Sequence, residues 1–95
     1  MQDYNTREIR AAARGVNNLA NRLERLKSSK IQRARKSIQG FEGDTISAIQ
    51  DQLDKLSEEI QYIYRTLDNS ADALYEFARQ LDIADEKAKA MIDSN

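Results

Sequence analysis

The sequence predicts an all-α fold: an antiparallel two-helix hairpin of coiled-coil character that pairs into a four-helix-bundle dimer. Three observations predict it. A heptad repeat runs without a break from Ile46 to Met91. Pro is absent, and the only glycines are Gly15, Gly40 and Gly43, so just one place near the middle of the chain carries a cluster of helix breakers. The two sides of that place have opposite charge. Residues 1–39 hold ten basic and three acidic side chains, a net of +7; residues 40–95 hold five basic and thirteen acidic ones, a net of −8. Complementary halves joined by a short connection favour folding back on each other. All 95 residues are read as one helical-hairpin domain, with a helix over about 6–39, a turn at 40–44 and a helix over about 45–93.

The second helix is the more regular. With Ile46 as position a, the a residues are Ile46, Leu53, Ile60, Leu67, Leu74, Leu81 and Ala88. The d residues are Ile49, Leu56, Ile63, Ser70, Phe77, Ala84 and Met91, of which only Ser70 is polar. Every f residue from Asp51 to Asp93 is charged. An apolar period of 3.5 opposite a charged stripe marks a helix with a seam for partner helices. At e positions Tyr64, Ala71 and Ala78 widen the apolar face. Asp68-Asn69-Ser70 is the weakest helical stretch, but the phase passes through it unchanged, so the helix is expected to continue.

The first helix is expected to begin near Thr6, because Asn5 followed three residues later by Glu8 is a capping-box pattern. Its apolar stripe reads Ile9, Ala12, Val16, Leu19, Leu23 and Leu26, then slips phase and resumes as Ile31, Ala34 and Ile38. Such a slip changes the local supercoil without ending the helix. Gly15 either admits a close neighbour or is a surface glycine costing about 1 kcal/mol against Ala. Gly40 suits the left-handed residue past the end of helix one, and Asp44 or Thr45 suits the cap of helix two. At 1.5 Å per residue the helices would be about 50 and 70 Å long. The stretch from Leu81 to Ile92 is therefore expected to overhang, available to another chain.

The composition leaves little room for chemistry. There is no His and no Cys, which removes the commonest general base, the thiolate nucleophile and the commonest metal ligands. The carboxylates of the acidic half lie on outward positions, where helical charge pairing explains them. No catalysis, metal or other cofactor is expected. Met1-Gln2-Asp3-Tyr4-Asn5 lacks the basic and apolar regions of a secretory signal, and no window is apolar enough to span a membrane. The basic residues Arg22, Arg25, Lys27, Lys30, Arg33, Arg35 and Lys36 could neutralise phosphates, but residues 5–40 contain no aromatic side chain to stack on bases. Two helices bury a small core for 95 residues, so association is expected. The candidate partner interface is Ile60, Ile63, Tyr64, Leu67, Leu74, Phe77, Leu81, Met91 and Ile92.

Two antiparallel helices of this length with Phe41-Glu42-Gly43 in the turn resemble the WXG100 (ESAT-6-like) family of type VII secretion substrates. Phe41 stands where that family has Trp, which brings the chain closer to divergent relatives such as the helical partners of LXG-type toxins. The resemblance covers nearly the whole chain. It implies that Phe41 folds its ring from the turn onto the helix seam while Gly43 frees the backbone. It also implies a Tyr-x-x-x-Asp/Glu export motif, whose letters occur at Tyr64 and Asp68, here in mid-helix. The function implied is that of a small non-enzymatic substrate or export partner, made in the cytoplasm and secreted without a cleaved signal peptide. Its partners would be itself, a related small helical protein or an LXG-type effector, together with the type VII machinery. Two other readings stand beside this one: an intracellular coiled-coil adaptor or secretion chaperone, and nucleic-acid binding through basic helix one.

Overall fold

A computed structural model describes residues 5–93. Met1–Tyr4, on which the expectation about a secretory signal falls, and residues 94–95 lie outside the described residues. The chain forms helix α1 (Thr6–Leu26), a π-helical turn (Lys27–Ile31), α2 (Gln32–Ile38) and α3 (Asp44–Asp93), with no strand among the described residues. The first three run on without a break and pack antiparallel against α3, giving a rod 79 × 16 × 16 Å. No described helix is long and apolar enough to cross a membrane.

The start of α1 is set by Asn5, whose side-chain oxygen accepts the N–H of Arg7 at 2.9 Å and satisfies one of the donors a helix start leaves open. The phase slip after Leu26 is a π turn. One wider loop of backbone inserts between Leu26 and Gln32 and rotates Ile31, Ala34 and Ile38 back toward α3. The hydroxyls of Ser28 and Ser29 donate to the carbonyls of Glu24 and Arg25 at 2.8–3.3 Å, which satisfies groups that the wider turn loosens.

Helix α2 ends at Ile38, one residue before the end expected from sequence, because Gln39 is extended (ψ 131°). Gly40 takes φ +89°, in the left-handed region that a residue with a Cβ avoids, and Gly43 takes φ +120°. The first backbone bond of α3 runs from the Ser47 N–H to the Gly43 carbonyl at 3.0 Å. Asp44 thus lies inside the first turn, where its charge meets the helix dipole favourably, instead of capping it from outside. Helix α3 is continuous over 50 residues. At Ser70 its hydroxyl donates to the Thr66 carbonyl at 2.8 Å, so the weak stretch stays helical.

The seam between the helices differs from the expected a/d pairing. The fully covered residues of α3 are Ile60 at a and Ala71 and Ala78 at e; in helix one they are Ala13, Ala20 and Ile31. The d residues Ile49, Leu56, Ile63, Ser70, Phe77, Ala84 and Met91 are all exposed. The hairpin is therefore closed by a and e. Three cross-helix contacts set the register, Arg10–Asp82, Lys27–Gln61 and Arg35–Asp54, whose residue numbers sum to 92, 88 and 89. At that register Ala13 lies level with Ala78, Ala20 with Ala71 and Ile31 with Ile60. Alanine facing alanine lets the two backbones approach closely, and such a pair of helices turns its smallest side chains inward. In α1 the same rotation leaves Ala12, Leu19 and Leu26 of the expected stripe on the surface and covers Ala13 and Ala20.

Candidate interaction surface

The hairpin has two faces on either side of the a/e seam, and they differ in chemistry. In a helix of 3.6 residues per turn, b lies about 100° round from a, and d lies about 60° round in the opposite sense. Asp54, Gln61 and Asp82, the α3 partners of Arg35, Lys27 and Arg10, are b residues. That face is polar. Arg10 meets Asp82 at 2.6 Å and Arg35 meets Asp54 at 2.6 Å, and Lys27 donates to Gln61 at 2.7 Å. The Arg10 hydrogen bond, helped by one from Thr6, holds the Asp82 carboxyl below the usual aspartate range. These two ion pairs join the basic half of the chain to the acidic half, in the sense that the charge division predicts.

The opposite face is apolar. From α3 it carries the d residues Ile49, Leu56 and Ile63, and from α1 it carries Leu19 and Leu26. Each is between 39% and 49% exposed, so roughly half of every side chain already rests on its neighbours while the remainder faces water. Burying about 100 Å² of apolar surface is worth about 2.5 kcal/mol, so a continuous open stripe of this kind favours association. Toward the turn, Ala48, Ile49, Leu53 and Leu56 line a shallow groove on α3 that Gln52, Lys55 and Glu59 border.

The residues singled out from sequence divide between these two environments. Ile60 is buried, and Tyr64, Leu67, Leu74 and Leu81 are half-buried, all in the a/e seam within the hairpin. Ile63 and Phe77 are exposed at d, and Met91 and Ile92 are exposed near the end of α3. Leu81 to Ile83 are still half-buried, so the fully exposed segment of α3 begins at Ala84 instead of Leu81. Leu19, Leu26, Ile49 and Leu56 complete the open face and were not among the expected interface residues. The signal that could have found them is the pair of alanines seven residues apart on each helix, Ala13/Ala20 and Ala71/Ala78. Those mark the close seam and so leave d free.

The turn differs from what the resemblance implies. Phe41 is 64% exposed, so its ring does not fold onto the seam. The backbone freedom assigned to Gly43 is used, with φ +120°. Tyr64 and Asp68 lie one turn apart on an unbroken helix, both half-buried. Among the described residues no group of His, Cys, Asp or Glu side chains is arranged to hold a metal ion. Asp82 and Asp54 pair with arginines across the hairpin, and along the helices Glu76 pairs with Arg79 at 2.8 Å and Glu24 with Lys27 at 3.8 Å. No protein-family model, curated protein or solved structure matches the chain.

Proposed function

We propose that this protein acts by helix–helix association, as a non-enzymatic substrate or export partner of a type VII (ESX-like) secretion system. The observation that carries the association is the open apolar face made by Leu19, Leu26, Ile49, Leu56 and Ile63 along a 79 Å rod. A helix hairpin that had no work with other helices would gain by making this face polar, as the opposite face is. The assignment to secretion is supported by the resemblance to the WXG100 family, carried by the hairpin, its length and Gly43 in the turn. Partners on this reading are a second copy, a related small helical protein or an LXG-type effector.

Leu67→Asp is a poor probe, because Leu67 lies in the seam that holds the hairpin together. Ile63→Asp is better placed, since Ile63 lies on the open face and is 44% exposed. In the native cell, the wild-type chain is expected in the culture supernatant and in complex with a helical protein, while Ile63→Asp loses the complex at unchanged helicity. A chain retained in the cytosol in the presence of working type VII components would overturn the secretion assignment. The association reading falls if neither chain forms a complex with itself or another protein.

A further inference from the structure

We infer that the outward side of helix one docks on the surface of an anionic lipid bilayer, with the rod lying flat and α3 turned away. This contact uses a different face from the helix–helix association above and does not rest on it. At 3.6 residues per turn, the direction opposite Ala13 and Ala20 is occupied, within about 70°, by Arg7, Arg14, Arg22 and Arg25. The π turn then returns Ile31 to the seam, which places Arg33 and Lys36 on the outward side as well. All six cations are exposed, and no carboxylate among the described residues pairs with them. They form one line about 45 Å long. Between the arginines lie the small residues Ala11, Gly15 and Asn18, and a Cβ built at Gly15 meets nothing within 4 Å. A flat surface can therefore come close to the helix there.

The chain as a whole has a charge of −1, so net charge does not draw it to an anion. Distance decides instead. The outer acids of α3, Asp51, Glu58 and Asp72, stand across a rod 16 Å wide, about two Debye lengths at physiological salt. A surface that touches helix one meets its cations while those acids are screened. Each Lys or Arg held at an anionic leaflet strengthens binding about fivefold, so the factors multiply along the line.

Shape selects the bilayer among polyanions. A second helix fits poorly, because the outward side has no apolar residue larger than Ala11 from which to make a seam, and exposed ion pairs alone add little. A nucleic-acid duplex turns its phosphate strands through a full circle in about 34 Å, so a straight line of about 45 Å crosses them instead of following them. Residues 5–40 hold no aromatic side chain to stack on a single strand. A bilayer is flat and meets the whole line at once. Leu19 and Leu26 lie about 60° round from its centre, at the edge of the contact, where apolar side chains reach the headgroup boundary.

The test is flotation of the full chain with vesicles at about 50 and 200 mM salt. Wild type is expected to float with vesicles of mixed phosphatidylglycerol and phosphatidylcholine, less at the higher salt, and not with phosphatidylcholine alone. Arg22→Gln combined with Arg25→Gln is expected to weaken binding about 25-fold. Arg65→Gln combined with Arg79→Gln makes the same change in net charge on the outer side of α3, and is expected to leave binding unchanged. Circular dichroism checks that both variants keep wild-type helicity. The chain has no Cys, so Asn18→Cys and Asp72→Cys each take one environment-sensitive label. Anionic vesicles are expected to shift the emission of the first and not of the second. Equal weakening by the two arginine pairs, or a shift at position 72, overturns the face. Tighter binding to a DNA duplex than to anionic vesicles at the same salt overturns lipid as the occupant, and equal flotation with neutral vesicles overturns charge as the cause. A chain that does not float with anionic vesicles at the lower salt has no such surface, and the association tested by Ile63→Asp stands or falls separately.

Discussion

Helix α3 carries two apolar stripes of nearly the same composition, and they have different fates. The a and e residues Leu53, Ile60, Leu67, Ala71, Leu74 and Ala78 face helix one, with Ile60, Ala71 and Ala78 buried and the three leucines half-buried. The d residues Ile49, Leu56, Ile63 and Phe77 are as apolar and remain open to water. What separates the stripes is side-chain size at the neighbouring position. Small e residues draw α1 to that side of a, where Ala13 and Ala20 can meet them, and polar b residues supply ion pairs beyond. One helix can cover only one such seam, so a heptad that is apolar at a, d and e offers more than a hairpin can use.

The sharpest way to break the comparison is to remove equal volume from each stripe. Ile60→Ala empties a buried site and is expected to cost about 2–5 kcal/mol. Ile63→Ala, one turn away and 44% exposed, is expected to cost about 1 kcal/mol, since only about half of its side chain is covered. Urea unfolding followed by circular dichroism, at dilution low enough to keep the chain monomeric, measures both. Equal losses would mean that the d stripe is covered within one chain, and the two-face description would fall. The large value is also a considerable share of what a hairpin of this size can have, so Ile60→Ala is expected to be substantially unfolded at moderate temperature.

The same contrast explains what could be read from the sequence and what could not. The helices, the turn at Gly40–Gly43, the cap at Asn5 and the continuity through Ser70 follow from local rules that need only neighbouring residues. Even the π turn announces itself, since Leu26 and Ile31 sit five apart where the stripe elsewhere advances by three or four. The choice of seam is different in kind. Hydrophobicity ranks Leu56 and Ile63 with Leu53 and Ile60, and nothing in α3 alone says which pair faces inward. That choice is made by the partner helix, through Ala13 and Ala20, which an apolar count treats as minor. The position of Phe41 was likewise not legible from local rules, because it depends on how closely the two helices approach at the turn.

A smaller effect sharpens the comparison from α1. Gly15 is exposed, and a Cβ built there meets nothing within 4 Å, so it is a surface glycine in mid-helix and admits no close neighbour within the hairpin. Gly15→Ala is expected to stabilise the monomer by about 1 kcal/mol, since alanine has less backbone freedom to lose. Thermal unfolding at low concentration measures it. A loss of stability that appears only as concentration rises would place another chain against this part of α1, next to the open face.

The smallest effect concerns the polar face, where charge and not apolar area is in play. Arg10 holds the Asp82 carboxyl below its ordinary value chiefly by hydrogen bonding, so the folded chain binds a proton there less readily than the unfolded chain. The stabilisation from this pair is therefore complete above the ordinary aspartate value of about 4 and is lost as pH falls through the lower folded value. Both side chains are partly exposed, so the effect is small and weakens with salt. Arg10→Gln is expected to be slightly less stable than wild type at neutral pH and low salt, with the two curves converging below about pH 4. Curves that stay apart in acid would mean that Arg10 acts through the packing of its aliphatic stem along the seam. The polar face would then share the work of covering a and e, and the division between a charged face and an apolar one would be less complete than the ion pairs indicate.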